Sequence, residues 1–115
     1  AEQTAGTEPF SEPRLAALRA QKRPVFAYFT ADWCLTCKVN EKASIDTAGV
    51  RSAFAAKKVA VLVGDWTDGD AKLGAFIQAH NRAGVPLYLY YAPGATEPEV
   101  LPQVLTPSLL ESLAG

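Results

Sequence analysis

Cys34 and Cys37 are the only cysteines in the chain, and two residues separate them. A dithiol at this spacing can close to a disulfide. It can exchange with a second disulfide through a mixed-disulfide intermediate. The pair follows the apolar run Val25-Phe26-Ala27-Tyr28-Phe29-Thr30 and leads into Lys38-Val39-Asn40-Glu41-Lys42-Ala43. That order predicts a strand, a short loop and a helix opening near Cys34. A helix start presents unpaired N–H groups and the positive end of the dipole, and both stabilise a thiolate. Cys34, at the start, gains most and is the expected attacking sulfur. Cys37, one turn inside, is the expected resolving sulfur, which attacks Cys34 and releases the reduced substrate.

Other uses of the two thiols fit less well. A structural disulfide here would close a very short loop and gain little chain entropy. A structural zinc site needs four ligands, whereas the chain offers two cysteines and the distant His80. Spectator thiols would have no reason to share this spacing at a helix start.

Glu41 lies four residues after Cys37 and seven after Cys34, on the same face of a continuous helix. A carboxylate there could hold a proton near Cys37 and raise thiol pKa values by like-charge repulsion. The alternative is a solvent-facing glutamate paired with Lys42 or Lys38. Trp33 either covers the dithiol and meets partners or packs on the sheet edge. Pro86, after Val85, opens a strand where its missing N–H costs no ladder bond. Trp66, Tyr88, Tyr90 and Tyr91 read as core or strand residues, and His80 as a surface residue at a helix end.

The elements that must position the dithiol can be placed from caps and runs. Residues 1–10 are expected to be a linker or flexible N-terminus, and residues 11–115 the domain. Ser11 caps a first helix with Pro13 in its first turn. Val25–Thr30 and Val59–Val63 are continuous apolar runs that fit strands covered on both faces. A helical stretch capped by Asp46 or Thr47 lies between them. A further helix spans Ala71 to Ala79. Leu87–Tyr91 is a third strand, and Pro93-Gly94 marks a turn. Glu99–Leu105 is a fourth strand, placed at an edge by Pro102. Thr106 caps a last helix with Pro107 at its first position. Strands alternating with helices predict parallel pairing early, and the short final connection predicts an antiparallel pair. The expected class is α/β, with a mixed four-stranded sheet flanked by helices on both faces.

Composition narrows the functions available. The chain has 115 residues, 49% of them hydrophobic, and a formal net charge of −1. No basic cluster offers a face for phosphates, so nucleic acid is not an expected partner. The longest aliphatic run, Val59–Val63, is far shorter than the ~20 residues of a spanning helix. The first residues lack the apolar core of a signal peptide. There is no methionine, so the chain is expected to be a processed protein or a piece of a longer one.

The segment Ala31-Asp32-Trp33-Cys34-Leu35-Thr36-Cys37-Lys38 resembles the thioredoxin superfamily, and the likeness runs from Pro24 to about Ala114. More narrowly, Tyr28 to Lys38 with Glu41 in step, Gly64-Asp65-Trp66-Thr67, and Gly84-Val85-Pro86-Leu87-Tyr88 resemble the C-terminal periplasmic domain of DsbD-type and ScsB-like thiol:disulfide interchange proteins. The resemblance implies a thioredoxin-like fold, a redox-active Cys34–Cys37 disulfide with no metal or organic cofactor, and a cis-proline at Pro86. Asp32, Trp33 and Glu41 are implied supporting residues. It also implies a protein-disulfide reductase that takes electrons from a transmembrane donor domain. Those electrons pass to a periplasmic acceptor protein. The domain itself would be monomeric and would belong to an inner-membrane protein. A free-standing reductase of the same fold is the alternative, and a binding module that keeps the fold without chemistry is a third.

The family usually carries a buried Asp six residues before the first cysteine. Tyr28 stands there instead, and a phenol is neutral at pH 7. Leu35 and Thr36 bring no charge between the cysteines. An oxidising site stabilises its reduced thiolate form. No histidine lies between the cysteines to add to that stabilisation, and Glu41 acts against it, so a reductant is expected.

Overall fold

The computed structural model describes residues 7–80 and 82–114. Residues 1–6 of the expected linker, Asn81 and Gly115 lie outside the described residues. Five strands form one sheet in the order β1-β3-β2-β4-β5: β1 Thr7–Pro9, β2 Val25–Thr30, β3 Ala60–Asp65, β4 Leu87–Tyr91 and β5 Glu99–Val100. Pairing of β1 with β3 and of β3 with β2 is parallel. Pairing of β2 with β4 and of β4 with β5 is antiparallel.

The central strand β2 is buried at every position, as its unbroken apolar run predicted, because helices cover both faces. Its side chains alternate between two cores. Phe26 and Tyr28 face Val50, Phe54, Tyr88, Leu101 and Leu110. Val25, Ala27 and Phe29 face Leu15, Leu18, Leu62, Ile77 and Leu89. Helices α1 (Glu12–Ala20) and α4 (Ala71–Ala79) thus cover one face. Helices α3 (Ala48–Ala56) and α5 (Pro107–Ala114) cover the other.

Ser11 and Thr106 cap as expected, and of the alternatives Asp46 and Thr47 it is Thr47 that caps α3. Ser11 accepts from the Arg14 N–H at 3.2 Å, Thr47 from Val50 at 3.4 Å and Thr106 from Leu109 at 3.2 Å. Each satisfies a donor that the first turn of a helix leaves free.

Two details correct the sequence expectation. The sheet has five strands, not four. Thr7–Pro9, assigned above to the linker, is the extra edge strand. It is anchored by Phe10, whose ring meets Phe29 and Phe76 at centroid distances of 4.8 Å each. The last strand is only Glu99–Val100 rather than Glu99–Leu105. Pro102 offers no donor to extend the ladder, and the chain turns away to bond with the helix after Cys37.

Gly64 faces Phe29 across the β2–β3 pair. A Cβ there would intrude on the fully buried Phe29 ring. Overpacking of this kind costs about 1–3 kcal/mol. Gly64→Ala is therefore expected to lower stability by about 2 kcal/mol, read as a lower urea midpoint at unchanged slope. An unchanged midpoint would show that the ring has room to shift.

Candidate active site

The loop Ala31–Trp33 leaves the carboxyl end of β2, and Cys34 is the N-cap of α2 (Leu35–Asn40). Cys34 and Cys37 form a disulfide with their Cα atoms 5.2 Å apart. The Cys37 N–H donates to Cys34 Sγ at 3.2 Å. The cap position therefore aims a backbone donor at one sulfur, the device that lowers a thiol pKa at a helix start. Cys37 is fully buried, whereas Cys34 keeps 8% of its surface exposed. Only Cys34 can meet an outside sulfur without rearrangement. Ala31 and Val85 pack around the pair.

The Val85–Pro86 peptide is cis, and Val85 sits against the two cysteines. Pro86 therefore directly follows the residue that packs against the dithiol. Asp32 and Trp33 are tied to the loop after β3. The Asp32 N–H donates to Thr67 Oγ1 at 2.9 Å, and the Trp33 indole N–H donates to the Thr67 carbonyl at 3.0 Å. Thr67 is itself held by the Asp65 carboxylate, which accepts from its N–H at 3.0 Å and from its hydroxyl. Those two bonds hold the Asp65 carboxyl below its ordinary pKa.

Trp33 is 60% exposed, and its ring lies 6.2 Å from that of Trp66. Trp33 is thus a surface residue rather than one packed on the sheet edge. Trp66, expected to be a core or strand residue, is half-buried and follows the end of β3. It backs the Trp33 ring, and it lies close enough to Gly84 that a Cβ there would approach it to 3.2 Å. Asp65 and Thr67 thus belong to the surroundings of the site, a role the sequence resemblance alone does not imply. The Asp-x-Thr spacing, which favours a local side-chain turn, was the available signal.

Glu41 begins a π-helical turn, Glu41–Ile45, that continues α2. Its Oε2 accepts from the Thr30 hydroxyl at 2.5 Å, and its Oε1 lies 3.4 Å from Lys38 Nζ. The glutamate side chain is only 16% exposed. It is therefore not the solvent-facing residue of the alternative reading, although the expected Lys38 partner is present. Lys38 also reaches Asp32, at 3.8 Å. Tyr28, in the place of the familial Asp, is buried, and burial followed by the Glu41 charge pushes its phenol well up. Tyr88 is pushed up to about 12, mainly by burial. Neither phenol can serve as a base near neutral pH.

A residue the sequence did not flag joins these parts. Asn40, at the end of α2, is buried. Its Nδ2 donates to Tyr88 Oη at 2.9 Å and to the Gln103 carbonyl at 2.8 Å. Its Oδ1 accepts from the Leu105 N–H at 3.2 Å. Gln103 Nε2 in turn donates to the Pro86 carbonyl at 3.4 Å. The helix behind the disulfide and the proline strand are thus stapled through one buried amide. Among the described residues, no group of three or more His, Cys, Asp and Glu could hold a metal. None of their helices is long and apolar enough to cross a membrane.

A family model described as thioredoxin-like matches residues 7–93. The chain is 31% identical, over 83 residues, to the thiol:disulfide interchange protein DsbD 1 of Pseudomonas aeruginosa. It is 35% identical, over 75 residues, to the thiol:disulfide interchange protein DsbD of Ralstonia nicotianae. These alignments cover 72% and 65% of the chain but only 14% and 12% of the relatives. Among solved structures, the oxidised C-terminal domain of Neisseria meningitidis DsbD superposes with a TM-score of 0.72 at 18% identity, covering 92% of this chain and 96% of that one. Trxlp from Edwardsiella tarda superposes at 0.69 with 22% identity, covering 94% and 97%.

Proposed function

Because the chain belongs to the thioredoxin-like family and is a thiol–disulfide oxidoreductase, we propose that it works as a reducing relay domain. It takes two electrons from a membrane-embedded dithiol domain and passes them to the disulfide of a periplasmic partner protein. The observation that carries this reading is the disulfide at the start of α2, with one sulfur reachable and the other sealed. The likeness over most of the chain to two DsbD proteins supports the relay.

In the forward step the Cys34 thiolate attacks one sulfur of the partner disulfide. The partner's S–S bond breaks, its other sulfur leaves as a thiolate, and a mixed disulfide forms at Cys34. Cys37 then loses its proton, and we assign Glu41, one helical turn further along, as the base that takes it. Its thiolate attacks Cys34 Sγ. The Cys34–partner bond breaks, the second partner thiolate leaves and takes up a proton, and Cys34–Cys37 is the oxidised product. Two electrons have moved to the partner. The donor domain restores the dithiol by the same exchange in reverse. No metal or organic cofactor takes part in these steps.

Direction is set by how well the protein stabilises its reduced form. Leu35 and Thr36 place no charge between the sulfurs, and the Glu41 carboxylate opposes thiolate formation. Both favour a reducing couple. The test is an equilibrium titration of Cys34–Cys37 in dithiol buffers. A potential near or below about −270 mV is expected, and one between roughly −180 and −120 mV would overturn the relay in favour of an oxidase or isomerase.

A further inference from the structure

Thr30 is the last residue of β2, the strand that delivers the loop to Cys34, and its side chain is buried. Its hydroxyl donates to Glu41 Oε2, eleven residues on. Among the described residues, the other carboxylate oxygen meets Lys38 Nζ alone, at 3.4 Å, on a side chain 41% exposed. An exposed ammonium on a flexible stem does not fix a rotamer. A hydroxyl on a buried, β-branched strand residue does, because its χ1 is restricted. Among the described residues, the neighbouring strands supply no competing hydrogen bond to this carboxylate. Tyr28 and Tyr88 are the titratable groups that β2 and β4 place near Glu41, and both stay neutral phenols. Asp32 reaches it only through Lys38. Asp46 closes the π-helical turn, and its N–H donates to the Glu41 carbonyl rather than the carboxylate.

We propose that Thr30 is a positioning residue for the resolving step, holding the Glu41 carboxylate in place as the acceptor of the Cys37 proton. This rests on the reading of Glu41 as that base. The familial buried Asp is absent at position 28, so the carboxylate has no second acid to share a proton with. Thr30 supplies the hydrogen bond that fixes it instead. The proton balance is that of the resolving step. Cys37 Sγ–H gives its proton to Glu41, the Cys37–Cys34 bond forms, and the Cys34–partner bond breaks. The leaving thiolate is then protonated.

The reduced protein is mixed with dithiobis-nitrobenzoate in a stopped-flow instrument. The first release of thionitrobenzoate reports attack by Cys34, and the second reports attack by Cys37. The second phase is followed from pH 5 to 9 for wild type, Thr30→Val, Thr30→Ser and Glu41→Gln. Valine matches threonine in shape, and thermal melts check each fold. Glu41→Gln is expected to slow the second phase at pH 7 by at least about tenfold, the lower end for a lost general base.

Thr30→Val removes one hydrogen bond to a charged group. The carboxylate then loses the donor that fixes it, so the second phase should slow by roughly fivefold at pH 7, between wild type and Glu41→Gln. Thr30→Ser keeps the donor and should follow wild type, and the first phase should be unchanged in both. A wild-type second phase in Thr30→Val alongside a slow Glu41→Gln would overturn the role of Thr30 and leave Glu41 as base. A wild-type second phase in Glu41→Gln would overturn both. Equal slowing of both phases in Thr30→Val, with a lowered melting temperature, would mean a purely structural threonine and overturn the proposal.

Discussion

Cys34→Ser is expected to abolish disulfide exchange, by about 10³-fold or more, the scale on which loss of a covalent nucleophile acts. Cys37 cannot substitute, because it has no exposed surface in the folded protein. Cys37→Ser should behave differently. Cys34 retains its place at the cap of α2 and the N–H of residue 37 aimed at its sulfur. It should still attack, but the mixed disulfide should then persist for want of a resolving thiol. Against dithiobis-nitrobenzoate, the reduced wild type should release two equivalents of thionitrobenzoate, Cys37→Ser one, and Cys34→Ser none on the same timescale. The trapped adduct should be visible as a mass increase that reductant removes. Full activity of Cys34→Ser with a physiological partner would mean that the chain is a binding module.

Asn40→Ala is expected to give the largest loss of stability among single polar substitutions near the site. The amide makes three hydrogen bonds inside the protein. Its removal strands the Leu105 N–H, the Tyr88 hydroxyl and the Gln103 carbonyl together. The Leu105 N–H and Tyr88 hydroxyl are buried, each costing about 1–3 kcal/mol when unpaired; water can reach the more exposed Gln103 carbonyl, which leaves a loss of about 3 kcal/mol. Urea unfolding measures it as a shifted midpoint. Tyr88→Phe removes only one of the three bonds and should cost about 1 kcal/mol. A cost below 1 kcal/mol for Asn40→Ala would mean that the staple is replaceable by solvent.

Much of this was readable from local chemistry. The cysteine spacing after an apolar run placed the site at the end of a doubly covered strand. Ser11, Thr47 and Thr106 marked helix starts because capping is decided within four residues. What escaped is what depends on distant partners. The strand Thr7–Pro9 has no apolar run of its own, and only pairing with β3 makes it a strand. Asn40 sits in a helical pattern where asparagine ordinarily faces water, yet its partners lie at residues 88, 103 and 105. The spacing of Glu41 from the cysteines was visible, but Thr30 as its anchor was not, because nothing local joins a strand end to the next helix. The short last strand followed from Pro102, whose effect was foreseen as an edge position and proved to be an early stop.

The edge strand β1 carries a consequence for biogenesis. It is made before the other strands of the sheet, but the strand it bonds to is completed only after β2, α2 and α3 have been made. Contacts between segments so far apart in sequence close slowly during folding. Until then a three-residue strand ending in Pro9 is a poor template for other chains, since brevity and proline both blunt an edge. The segment that completes the sheet is thus suited to waiting.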